Sequence, residues 1–158
     1  MANTQAMTTS FMGELMTATH NFGTAPVRAT GATDSFKAAL FLASATQNAS
    51  TTAYGTSGEV SGAGYSAGGV AVTFGTPPTA TNSSATAGVA FVTPSASITY
   101  TGVTLTTAFD AVLIYNSTQS NKAVSVHTFG SQTITAGTFT LTMPANTTST
   151  ALIRLATT

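Results

Sequence analysis

Apolar and polar positions alternate through most of residues 98–143, and the rest of the chain reads as packing around the strands this predicts. Phe109, Ala111, Leu113 and Tyr115 alternate with Asp110, Val112, Ile114 and Asn116. After a polar turn at 117–122, Val124, Val126 and Thr128 alternate with Ser125, His127 and Phe129. A one-residue slip between paired strands sends every side chain to the other face. The richer apolar faces coincide only if odd residues of the first strand oppose even residues of the second. That register predicts an inner face of Phe109, Leu113, Tyr115, Val124 and Val126, in a core that also takes in Phe139 and Leu141. The opposite face, with Asp110, Val112, Ile114, His127 and Phe129, is too apolar for open water and is expected to be covered.

The same alternation marks further strands. Residues 36–42 are apolar on both sides, 70–74 end at Pro77 and Pro78, 89–91 end before Pro94, and 151–156 supply a last strand. Residues 44–69 and 79–87 are rich in Ser, Thr, Asn and Gly and read as surface loops, the first with one short strand near Glu59 and Val60. Apolar parity switches at Gly102 and again around Ala136 and Gly137. A glycine at a parity change predicts a β-bulge or corner, with a tight turn as the alternative at 136–137. A helical pattern occurs only over 4–17, where Met7, Phe11 and Leu15 recur at every fourth position beside Met12 and Met16. Gly23 suits its exit, and Gly13 weakens it. Eight to ten short strands with turn signals between them predict an all-β, antiparallel β-sandwich, jelly-roll-like, with a short N-terminal helix. The domain expectation is a helix or arm over 1–22 and a single sandwich domain over 23–158. The arm either caps the sandwich or docks on a neighbouring subunit, and methionine is adaptable enough for both.

Composition narrows the classes. Charged residues make up 5% of the 158 and hydrophobic ones 42%, which argues against a disordered chain. The abundant threonines favour strands. Formal net charge is zero, which removes the electrostatic attraction on which nucleic-acid binding depends and favours association between copies. There is no cysteine. The opening MANTQAM lacks a basic leader region and no apolar run is long enough to span a bilayer, so a soluble, unexported protein without membrane contact is expected.

Candidate chemistry is sparse. Gly64-Tyr65-Ser66-Ala67-Gly68 matches the nucleophile-elbow pentapeptide, and Asp110 and His127 follow in the chain order of an α/β-hydrolase triad. The surroundings are wrong for it: Ser66 lies in a Gly/Ser loop followed by the alternating Val70–Phe74 stretch, not between a strand and a helix. Asp110 and His127 are expected instead to form a cross-strand polar pair. Gly62, Gly64 and Gly68 miss the dinucleotide fingerprint by one residue and lack its βαβ setting, so they serve loop turns. The possible metal ligands are His20, His127, Asp34, Asp110, Glu14 and Glu59, too scattered for a metal site. No catalytic residue, cofactor or metal is expected. The sequons at Asn48, Asn82, Asn116 and Asn146 are numerous because Ser and Thr are, and are expected to be unmodified.

The stretch AFDAVLIYNSTQSNKAVSVHTFGSQTITAGTFTLTMP and the opening MANTQAM…SFMGEL resemble a family of small β-rich proteins in the genomes of tailed bacteriophages, notably marine ones. The resemblance covers both ends and most of the second half. It implies a virion structural protein, assembled in the host cytoplasm, most simply one that decorates or cements the capsid as a jelly-roll does. Its partners would be the major capsid protein or other virion proteins and further copies of itself, with a trimer favoured by analogy. A tail, fibre or connector part is the alternative, followed by a carbohydrate- or receptor-binding module, for which Tyr54 and Tyr65 are the loop aromatics available.

Overall fold

The computed structural model describes residues 2–16, 19–22, 34–81 and 88–156, with only the backbone described for Thr9, Met12, Gly13 and Met16. Gly23, Asn82 and most of the 79–87 loop lie outside the described residues. Described are strands β1 (Ala6–Met7), β2 (Phe36–Leu42), β3 (Val70–Val72), β4 (Thr79–Ala80), β5 (Val89–Val92), β6 (Ile98–Asn116), β7 (Lys122–Leu141) and β8 (Ile153–Ala156), with one helix, α1 (Thr9–Met16). They form two antiparallel sheets, ordered β1-β7-β6-β2-β3 and β4-β5-β8, the layers of an all-β sandwich. Val92 and Ile153 of the small sheet join Ile98, Tyr100, Leu105, Phe109 and Ile114 of the large one in a single core. The 4–17 helical pattern contracts to eight residues: Met7, expected on its apolar stripe, lies in β1 instead, paired with Ser125.

The alternating stretch 98–116 is one continuous strand, β6, through the parity change at Gly102, and 122–141 is one continuous strand, β7, through that at 136–137. Bulges let each strand change face without ending. Tyr100 pairs with Phe139 and Val103 with Gly137, so β6 carries an extra residue there, and Gly102 takes it up at a φ of +65°. Val103 pairs with Gly137 and Leu105 with Ile134, so the next extra residue is on β7. Parity does change at 136–137 through a bulge, but the left-handed residue is Ala136, at a φ of +47°, its N–H donating to Thr104 Oγ1 at 3.0 Å.

Register in the upper half of the hairpin follows the alternation: Leu113 opposes Val126 and Ala111 opposes Thr128. The expected inner face is nevertheless split. Shifts between Phe109 and Ala111 and between Ile114 and Tyr115 move residues across the sheet. Leu113, Tyr115 and Val126 therefore belong to a second cluster with Ala39, Phe41, Ala45, Ala111 and Ala123, while Phe109 and Val124 join Val112 and Ile114 in the main core. Both faces of β2 and of the upper half of β6 are thus buried within one chain. Phe139 and Leu141, expected in the core, are only half-buried at its rim.

Candidate functional site

Among the described residues, two groupings bring ionisable side chains together with other polar groups, and neither includes Ser66. In the first, the loop 44–69 folds back over β2 and β6 and is tied down through Glu59. Tyr54 and Tyr65 donate their hydroxyls to its two carboxylate oxygens at 2.6 and 2.7 Å, and the Gly68 N–H donates to the second at 2.7 Å. Tyr115 donates to the Gly68 carbonyl at 2.8 Å, and Tyr100 to that of Ala38, also at 2.8 Å. Burial and the adjacent carboxylate hold the Tyr54 and Tyr65 phenols well above their usual range, so both remain donors. Each loop tyrosine also stacks on a strand tyrosine, Tyr54 on Tyr115 and Tyr65 on Tyr100. All four tyrosines are spent on holding the loop. Glu59, expected in a short strand, instead meets Phe41 in an isolated bridge.

The glycines of that loop serve close approach. A Cβ on Gly64 would lie 2.2 Å from the Gly102 carbonyl oxygen, and one on Gly69 would lie 1.6 Å from that of Ala38. Both also have positive φ, so no other residue fits without moving the loop off the sheet. Ser66 is exposed beside them, next to a groove of about 300 Å³ that Tyr65 and Tyr100 line.

The second cluster lies where α1 meets the turn between β6 and β7. Glu14 accepts from Lys122 Nζ at 2.6 Å and from His20 Nε2 at 2.7 Å. Asn116 Nδ2 lies 3.1 Å from His20 Nδ1 and donates to Asp34 at 2.8 Å, while the Asn21 N–H also donates to Asp34. An amide NH₂ facing Nδ1 requires that nitrogen to be an acceptor, so His20 is neutral with its proton on Nε2, directed at Glu14. Burial pushes the His20 pKa down, more than the neighbouring Glu14 and Asp34 carboxylates raise it. Burial would raise the Glu14 pKa, but the hydrogen bonds from Lys122 and His20 outweigh it and hold the carboxyl below its usual range. The sequon residue Asn116 is fully buried here.

The hydrolase-like residues are not brought together. Val112, not Asp110, opposes His127, and the Asp110 carboxylate instead accepts from Asn3. The expected Asp110–His127 pair is replaced by a contact within one strand: Ser125 Oγ and His127 Nε2 lie 2.9 Å apart. Residues two apart on a strand share a face, so that partner was readable from spacing, whereas Asn3 was not. Ser125 is 2% exposed. Among the described residues, no three His, Cys, Asp or Glu side chains are grouped to hold a metal, and no helix is long and apolar enough to cross a membrane.

The outward surface of the hairpin has a different character. Between Lys122 and Arg154 the sequence has no charged residue. Thr99, Thr101, Thr133, Thr135, Thr138 and Thr140 are all exposed. Among the described residues, β1 pairs with β7 at Val126 and Ser125, and no other strand pairs with that edge. No family model, curated protein or solved structure matches this chain.

Proposed function

We propose that this protein is a structural component of a bacteriophage particle that works by assembly, most simply by decorating or cementing the capsid. The observation that carries the assembly half of this reading is the β7 edge beyond Thr128, which is uncharged and, among the described residues, pairs with no further strand. Such an edge is a template for further strand pairing. The phage half is supported by the sequence resemblance described above. Apolar strand faces do not support assembly, because the chain itself buries most of 36–42 and 109–116. The N-terminal arm likewise docks on its own subunit: Asn3 bonds Leu42, Gln47 and Asp110, and Thr8 bonds Val124.

A sugar-binding role loses its best candidates, since the Tyr54 and Tyr65 hydroxyls and one face of each ring are engaged internally. The partner in this reading is the assembled coat. A protein that binds only the assembled shell stabilises it by mass action. The test is to add purified protein to capsids lacking it and follow their thermal disruption. Binding with a raised disruption temperature supports cementing. Binding to tails, or no binding, moves the role elsewhere in the particle or away from it.

A further inference from the structure

From the β7 edge we infer that two copies of this chain pair antiparallel through Gly137–Thr138–Phe139–Thr140–Leu141, with Phe139 on the twofold axis. This is the contact the assembly reading calls for, and it rests on that reading for its purpose. The segment is regular strand, in register with β6 at Ile98↔Leu141, Thr99↔Thr140 and Tyr100↔Phe139. Among the described residues, no hydrogen bond outside the β6 ladder and the Thr99–Thr140 contact reaches it. It carries no charge and no proline, two of the means by which exposed edges are kept apart. The bulge at Ala136 lies just outside it.

The occupant is chosen by the order of the residues. Reversed about Phe139, the segment still reads threonine–phenylalanine–threonine, so an isologous pair sets Thr138 against Thr140 of the second copy, twice. Threonine pairs across antiparallel strands are favourable, and identical neutral edges bring no like charges together. On the other face Phe139 and Leu141 are half-buried at the rim of the core, where Phe139 packs edge-on to Phe109 at 5.1 Å between centroids. A second copy would extend that rim across the axis and remove their remaining exposure. The two five-stranded sheets would become one. The symmetry is twofold, whereas analogy with decoration proteins favoured a threefold.

The register makes the inference testable by charge. Thr138 and Thr140 are exposed and point away from the core, so charged replacements leave the monomer intact. In the pair, T138K/T140K sets lysine against lysine at both positions, and T138K/T140E sets lysine against glutamate at both. Sedimentation velocity on the full chain should show a dimer for the wild type, self-association weakened about tenfold or more toward monomer in T138K/T140K, and recovery in T138K/T140E. Mixing T138K/T140K with T138E/T140E should restore dimers that neither forms alone. A wild type that stays monomeric at high micromolar concentration overturns the inference. So does a trimer, or a dimer indifferent to T138K/T140K. Capsid binding is read separately: a dimer that binds no particle leaves this pairing standing and removes the cement role, and a monomer that binds does the reverse.

Discussion

Tyr54 lies flat on Tyr115, 4.5 Å between ring centroids and 10° from parallel, although one belongs to a loop and the other to the central strand β6. The stack and the Tyr54 hydroxyl on Glu59 hold the loop by two different forces, which substitution separates. Tyr54→Phe keeps the stack and loses one charge-assisted hydrogen bond, at a cost of about 1–2 kcal/mol. Glu59→Ala leaves two half-buried hydroxyls and the Gly68 N–H without their acceptor and should cost more, about 2–3 kcal/mol. Urea unfolding of both variants checks the order. Equal effects would mean that the carboxylate adds nothing to the stack.

Leu113 is fully buried in the smaller cluster beneath the 44–60 stretch. Leu113→Ala should cost about 2–5 kcal/mol, as deletions from packed cores do. A variant that melts with the wild type would show that the loop closes over the gap.

His127 makes stability depend on pH. Burial depresses its pKa to about 4, below the value of about 6.5 for a free imidazole. The folded state therefore binds its proton less readily than the unfolded chain. The stabilisation is fully present above pH about 6.5 and is lost as pH falls toward 4, by about 3 kcal/mol at most. His20, also depressed, adds in the same direction. Denaturant midpoints at pH 7 and pH 4.5 should differ less in His127→Gln than in the wild type. An equal drop in both would assign the acid sensitivity to other groups.

Ser66 is exposed, and neither Asp110 nor His127 is bonded to it. Ser66→Ala should leave stability within about 0.5 kcal/mol of the wild type. Ser66 should also resist a fluorophosphonate probe. Labelling that disappears in His127→Ala would contradict this.

Alternation exposed the sandwich class, the Leu113–Val126 register and the bulge at Gly102, because each is a local consequence of period two. It failed where a bulge changed the face without a glycine to announce it. Phe109 and Leu113 look like neighbours on one side and belong to different clusters, and at the 136–137 bulge it is Ala136, not the glycine, that has a positive φ. Phe139 and Leu141 read as core because pattern gives the face of a residue and not its distance from the edge of the sheet. The polar clusters were illegible for another reason. Lys122 and Glu14 are 108 residues apart, and Asn116 and His20 are 96 apart, distances over which sequence spacing carries no information.

The first residues of the chain are held by some of its last-made strands. Asn3 bonds Asp110 across 107 positions, and Thr8 bonds Val124 across 116. The contacts of segment 3–8 with β6 and β7 therefore join parts of the chain more than a hundred residues apart. Closing a loop of that size comes late in folding. Until β1 docks, the β7 edge is uncovered at Ser125 and Val126 as well.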